Sequence, residues 1–376
     1  MLQSALTGLV SGFTSVSWQN IVMMAVGLVL LYLAIRKGFE PLLLVPIGFG
    51  ALLVNFPLAG FMDDHGVLRQ FYNAGILTEI LPVLIFVGVG AMIDFGPVIA
   101  NPVVLLLGAA GQFGIFLTLL LALQLGFTRL ESASIGVIGA MDGPTAIYVT
   151  SQFAPHLLGA VSVAAYSYMS LVPILQPPIM RLLTTKKERQ IVMSYETKSV
   201  SKRVKIVFPI IITILTGLIA PFGLPLMGAL MLGNFMRECG VVGRLANTAQ
   251  NELVNIVTLL LGITIGATMM GEVFLKWQTM IVFGLGLIAI VLDTATGVLL
   301  AKLLNVITHG KINPLLGAAG TSAFPMSSRV VQREGQKANP KVFLLWHAVG
   351  ANTGGQLGSV MAAAVMIAIL KGLGIA

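Results

Sequence analysis

Residues 46–56 read PIGFGALLVNF and residues 225–235 read PLMGALMLGNF, so a proline, an asparagine and a phenylalanine recur at identical spacing. Matching features follow in the same order in each half. Glu79 and Glu252 each open an apolar span, and each span then carries a Gly-Ala pair, Gly90-Ala91 or Gly266-Ala267. Farther on, Ile138-Gly139-Ala140 with Pro144 answers Leu316-Gly317-Ala318 with Pro325. Each match is weak alone, but their shared order points to an internal duplication of about 170 to 180 residues.

The duplicated unit belongs in a membrane. Of 376 residues, 57% are apolar and 10% charged, against about a quarter charged in an ordinary soluble domain. Windows 2–35, 95–128, 143–180, 206–236 and 342–370 contain no Asp, Glu, Lys or Arg, and each exceeds the roughly 20 residues that cross a bilayer core. The reading is an all-α polytopic membrane protein of roughly 10–12 membrane segments. If each half crosses an odd number of times, its two repeats are inverted. The segments near 41–60, 132–152, 224–236 and 313–330 are short or interrupted by Gly and Pro, and are expected to be broken or re-entrant helices. Interrupted helices at matching places in duplicated halves mark the ion or substrate site of many secondary transporters.

The net charge of +8 does not indicate nucleic acid, because it is concentrated. Arg181, Lys186, Lys187, Arg189, Lys198, Lys202, Arg203 and Lys205 fall in one stretch, opposed only by Glu188 and Glu196. Beside apolar spans such a block reads as a cytoplasmic loop. The expected organisation is an N-terminal interfacial segment (1–19), a first membrane repeat (20–182), the basic loop (183–204) and a second repeat (205–376). Cys239 is the single cysteine, which excludes a disulfide framework or an iron–sulfur cluster within this chain.

Irregular backbone at membrane depth survives only where protein or a wet cavity satisfies it, so the breaks are where chemistry is sought. In the first, residues 139–145 (GAMDGPT), Asp142 stands directly before a helix-breaking Gly-Pro; it is the only charged residue between Glu131 and Arg181. A carboxylate at that depth is costly unless paired, protonated or metal-bound; its plainer role is a helix cap. Residues 350–359 (GANTGGQLGS) combine four glycines with Asn352, Thr353, Gln356 and Ser359. Such neutral oxygens with one carboxylate suit a hard monovalent cation, and close helix packing through small residues is the alternative. Tyr166 and Tyr168 offer hydroxyls one span after Asp142, and Arg329 closes a Ser- and Thr-rich stretch where it could meet a carboxylate or anchor a loop. Asp94 and Asp293 are further buried acids, each either a proton relay or half of a structural pair.

Four runs together resemble a known family. They are residues 142–148 (DGPTAIY), 173–180 (PILQPPIM), 322–331 (SAFPMSSRVV) and 343–352 (FLLWHAVGAN). They are similar to the membrane β subunit of the sodium-pumping biotin-dependent decarboxylases, over most of the chain from about Gly38 onward. The resemblance implies a complex in which a carboxyltransferase α subunit moves CO2 onto biotin held by a biotin-carrier subunit. It implies further a small membrane-anchored subunit, several copies of this chain, and a bacterial cytoplasmic (inner) membrane. The β subunit then decarboxylates carboxybiotin and exports Na+, consuming a proton. Carried over by position, the family's ion-binding aspartate is Asp142 and its functional tyrosine Tyr168, while its C-terminal group falls on Asn352, Gly354 or Gly355, and Ser359. Residues 350–355 read GANTGG where oxaloacetate-type members carry GPNVAG, which leans toward the acyl-CoA branch. A Na+-coupled carboxylate carrier or Na+/H+ antiporter, breaking no bond, fits the composition and repeats equally well.

Overall fold

The computed structural model describes residues 11–38, 41–193 and 200–375. Residues 1–10 of the expected interfacial segment, and Glu196 and Lys198 of the basic loop, lie outside the described residues. Among the described residues there is no strand.

The first half opens with α1 (Trp18–Lys37), started by a capping box between Ser17 and Asn20 and stopped by Gly38 in the left-handed conformation. Ser17 satisfies amides that the first helical turn leaves free. Next come α2 (Pro41–Val54) and the short α3 (Val67–Phe71), which runs into a π-helical turn at Tyr72–Ile76 before α4 (Ile80–Met92). A span interrupted near Gly111 supplies α5 (Val103–Ala110) and α6 (Phe113–Gln124). Helix α7 (Arg129–Gly136) tightens into a 3-10 turn at Val137–Ala140 and breaks; α8 (Gly143–Phe153) and α9 (Leu158–Leu183) complete the half.

The same succession occurs after the basic loop. It runs α10 (Lys202–Ile219), α11 (Leu224–Cys239), α12 (Gly243–Thr248) with a π-helical turn at Ala249–Leu253, α13 (Val254–Ala267) and α14 (Trp277–Ile307). A 3-10 turn at Pro314–Gly320 precedes α15 (Met326–Ala338) and α16 (Leu345–Gly372). The π turn recurs before the Gly-Ala helix and the 3-10 turn before the broken one, so the repeat heard in the sequence extends to its irregular elements.

The halves interlock. Helix α2 packs on α13 and α11 packs on α4, so each member of the first pair of one half lies on the second of the other. Small residues permit the approach: a Cβ on Gly50 would strike the Ile263 carbonyl, and one on Gly233 the Val87 carbonyl. Without a hydrophobic drive between helices in lipid, such close contact is what binds them. The repeated asparagines finish both joints. Asn55 donates to the Met269 carbonyl (2.9 Å) and accepts from the Gly271 amide (3.0 Å), while Asn234 donates to the Ile93 carbonyl (2.9 Å).

Among the described residues, five helices or continuous helical stretches are long and apolar enough to cross a bilayer: residues 18–37, 103–124, 243–267, 277–307 and 345–372. Two bent pairs, 67–92 with a 61° bend and 155–183 with a 64° bend, raise the number to seven. These helices fit the expected all-α polytopic membrane protein, and the 14-residue α2, too short at about 1.5 Å per residue to cross alone, falls in the stretch 41–60 expected to be broken or re-entrant. Apolar side chains cover the outer surface, among them Leu28, Ile35, Ile214 and Leu218, each more than half exposed; a surface of that kind faces lipid.

Charge pairs gather at the basic end. Glu334 of α15, only 3% exposed, receives Arg181 Nε (2.7 Å) and Nη2 (3.0 Å) from the end of α9, together with Lys337 Nζ (2.8 Å). Burial pushes the Glu334 carboxyl up, and these two cations outweigh it and hold the group below the usual carboxylate range. Asp94 is likewise a structural acid, bonded to Lys205 Nζ (2.9 Å) and the Gly96 amide (2.8 Å).

Removing an asparagine leaves buried backbone groups unpaired at a joint. Asn55→Ala and Asn234→Ala are each expected to lower stability by about 1–3 kcal/mol, seen as an earlier thermal unfolding midpoint in detergent; an unchanged midpoint in both contradicts the assignment.

Candidate functional site

Gly143-Pro144 cannot prolong the 3-10 turn of the first break, so Met141 turns left-handed (φ 53°) and Asp142 extends as the N-cap of α8. In the second half the chain leaves its 3-10 turn through Thr321 and Ser322 before Pro325 lets α15 begin. The two breaks touch: the Ser322 amide donates to the Ala140 carbonyl (3.2 Å). Helix α16 passes beside both. Its 28 residues span about 42 Å, and Ser359 lies near its middle.

Asp142 sits where these elements meet and is 4% exposed. Its Oδ2 accepts from Gln356 Nε2 (2.6 Å), Thr145 Oγ1 (2.7 Å) and Ser359 Oγ (2.8 Å). Its Oδ1 receives only the long Thr145 amide bond (3.4 Å). The carboxylate is therefore held by neutral dipoles, with no cation among these partners. Side-chain oxygens of Asn352 and Thr353, buried nearby along α16, make no hydrogen bond.

Carbonyls exposed by the breaks are secured by buried amides. Gln112, in the interruption between α5 and α6, donates to the carbonyls of Gly108, Gly320 and Gly355, each at 3.2 Å. Asn352 donates to the Thr321 carbonyl (2.6 Å), Ser322 Oγ to the Gly355 carbonyl (2.8 Å) and Gln176 to the Ala318 carbonyl (2.9 Å). Beside the buried Asp142 carboxylate stand the Thr145 and Ser359 hydroxyls, hard oxygens of the kind a small monovalent cation takes. Among the described residues there is no group of three His, Cys, Asp or Glu side chains of the kind a transition metal favours.

The expected residues are not all in one place. Asp142 and Ser359 are bonded directly, with Asn352, Gly354 and Gly355 on the same stretch of α16. Tyr168 instead donates its hydroxyl to the Phe283 carbonyl of α14 (2.5 Å); the ring lying against the Gly143 backbone is that of Tyr166. Arg329 is exposed on the first turn of α15. Asp293 is fully buried on α14 with both oxygens outside hydrogen-bond geometry, against the Gly114 backbone that also borders Gly139. Sequence reasoning missed Thr145, whose place three residues after an N-cap was a usable signal. It named Gln356 only as one oxygen among several, and passed over Gln112, whose partners lie more than 200 residues away.

Residues 19–370 match the family model described as the Na+-transporting oxaloacetate decarboxylase beta subunit. The chain belongs to this family. It is 53% identical to the methylmalonyl-CoA decarboxylase subunit beta of Propionigenium modestum, covering 96% of this chain and 97% of that one. Identity to the glutaconyl-CoA decarboxylase subunit beta of Acidaminococcus fermentans is 54%, over 98% of both chains. A probable oxaloacetate decarboxylase beta chain of Vibrio cholerae is 46% identical, over 96% of this chain and 98% of its own length. The acyl-CoA relatives are the nearer of these three, in line with the leaning of residues 350–355.

Loss of the Ser359 hydroxyl removes one of the donors on Asp142 Oδ2 and leaves the backbone bonds of the break in place. Ser359→Ala is expected to raise the Na+ concentration for half-maximal activity about tenfold, equivalent to roughly 1.4 kcal/mol, with thermal stability little changed. Equal Na+ dependence in variant and wild type would remove Ser359 from the site.

Proposed function

We propose that this chain decarboxylates carboxybiotin brought by a partner subunit and couples that step to Na+ export through the site at Asp142. Family membership supports the decarboxylase reading over a plain Na+-coupled carrier. The observation that carries the coupling is the Asp142 carboxylate, buried beside the middle of α16 and held by Thr145, Gln356 and Ser359.

A bare carboxylate in that setting is costly, and either a proton or a Na+ offsets the cost. Both occupy the same oxygens, so they compete. With Na+ absent, Asp142 holds the proton; when Na+ enters, the hydroxyls of Thr145 and Ser359 rotate their lone pairs toward it, and the proton leaves. Carboxybiotin, as the substrate brought by the partner, would release CO2 and require one proton at its ring nitrogen. Asp142 is the proton's source, so Na+ loading at the site and proton uptake at biotin proceed together.

Arg329 is the group we assign to meeting the incoming carboxylate. Its guanidinium is exposed only seven residues beyond Ser322, in a side chain suited to bidentate carboxylate recognition. Tyr168, tied to α14, is assigned to coupling the site to the movement of that helix. The two halves act as inverted repeats, one moving against the other to open the site to alternate sides.

The acyl-CoA relatives support an acyl-CoA as the source of the CO2. The partners on this reading are a carboxyltransferase α subunit, a biotin-carrier subunit and a small membrane-anchored subunit, with several copies of this chain in a bacterial inner membrane. Apolar helices on this scale, together with the family, make the chain a multi-pass membrane protein.

Free carboxybiotin offered to the purified chain with its co-purifying partners tests this reading. Decarboxylation should require Na+ and fall at least a hundredfold in Asp142→Asn, about 2.7 kcal/mol of lost transition-state stabilisation. An Asp142→Asn variant that decarboxylates with normal Na+ dependence, or a wild type that moves Na+ but leaves carboxybiotin untouched, would overturn it.

A further inference from the structure

Helices α8 and α16 pack together and run from the Asp142 site toward the face opposite the basic loop. Gln152 follows Asp142 by ten residues on α8 and Lys371 follows Ser359 by twelve on α16, a rise of about 15–18 Å. A second group of polar side chains stands there. Glu79 occupies the 61° bend between the π turn and α4 in a left-handed backbone (φ 63°), a conformation uncommon outside glycine and a frequent sign of a functional position. Helix α8 packs on α4 and on the π turn before it, which brings the half-buried Glu79 carboxylate beside Tyr148 and Gln152, with the Lys371 ammonium a more distant charge. Tyr148 Oη also lies 3.4 Å from the Phe222 carbonyl oxygen.

Lys371 rests on an aromatic face. Its Nζ lies 4.7 Å from the centroid of the Phe222 ring, within cation–π range. The arrangement answers the opposite end of the molecule, where Arg181, near the end of the long last helix of the first half, holds Glu334. Lys371 stands one residue before the end of the corresponding helix of the second half.

We propose that Glu79, Tyr148 and Gln152 form a second site for a monovalent cation, at the outward mouth of the pathway, and that Lys371 is a tethered cation competing for it. This rests on the reading that the chain conducts Na+. A Na+ arriving along α8 reaches the Glu79 carboxylate while the Lys371 ammonium rests on the Phe222 ring. A swing of the ammonium from the ring to the carboxylate then expels the ion, and the same competition resists re-entry from outside.

The complete complex, reconstituted in liposomes with Na+ varied only on the face opposite the basic loop, tests the proposal. Each variant is referenced to its own rate without outer Na+. Lys371→Gln should let outer Na+ inhibit pumping at about tenfold lower concentration, and Glu79→Gln should shift inhibition about tenfold higher, the directions expected when the competing cation or the attracting carboxylate is removed. Lys371→Arg, which keeps the charge, should stay near wild type. An assembled Glu79→Gln or Lys371→Gln complex with wild-type dependence on outer Na+ overturns the proposal; if Lys371→Gln fails to assemble, Glu79→Gln decides alone. A wild-type complex that moves no Na+ would instead overturn the pump reading itself.

Discussion

A chain that leaves its helix inside a bilayer must find hydrogen-bond partners within the protein, because lipid supplies none. Much of this architecture follows from that constraint. Two breaks, one in each half, satisfy each other through the Ser322 amide and the Ala140 carbonyl. Gln112, Gln176 and Asn352 reach in from three other segments to hold the remaining carbonyls. These bonds tie the breaks to the middle of α16, and the polar pocket they create is where a carboxylate can be tolerated at mid-depth.

The acids of this molecule divide by what surrounds them. Glu334 and Asp94 are met by Arg or Lys, and a charge neutralised by a fixed partner is a brace. Asp142 is met by two hydroxyls and an amide, which stabilise negative charge without cancelling it. A group left in that state is the one we assign to a mobile cation, a proton or Na+. Competition between them is the simplest physical link between a reaction that consumes protons and the movement of an ion.

The sequence was most informative where it was irregular. The recurring Pro, Asn and Phe at 46–56 and 225–235 announced two related halves, and Asn55 and Asn234 stand at equivalent joints. What they bond could not be read, because each reaches across to the other half. Asp142 was legible as a lone charge in a long apolar window, and Ser359 as part of a glycine-rich polar run. Gln112 was silent: a single glutamine in an apolar stretch carries no periodic or motif signal, and its role depends on contacts more than 200 residues away. Of two neighbouring tyrosines, the resemblance pointed to Tyr168, whereas the ring at Gly143 belongs to Tyr166; two residues along a helix point to nearly opposite sides, so spacing alone could not choose.

Exchange of a proton for Na+ at Asp142 is the central claim, and it is open to direct measurement. Na+ added to the purified complex in weakly buffered solution, without biotin turnover, should release protons in a saturable manner, while Asp142→Asn should release none above background. Saturable Na+ binding without proton release in the wild type, or undiminished release in Asp142→Asn, would contradict the account.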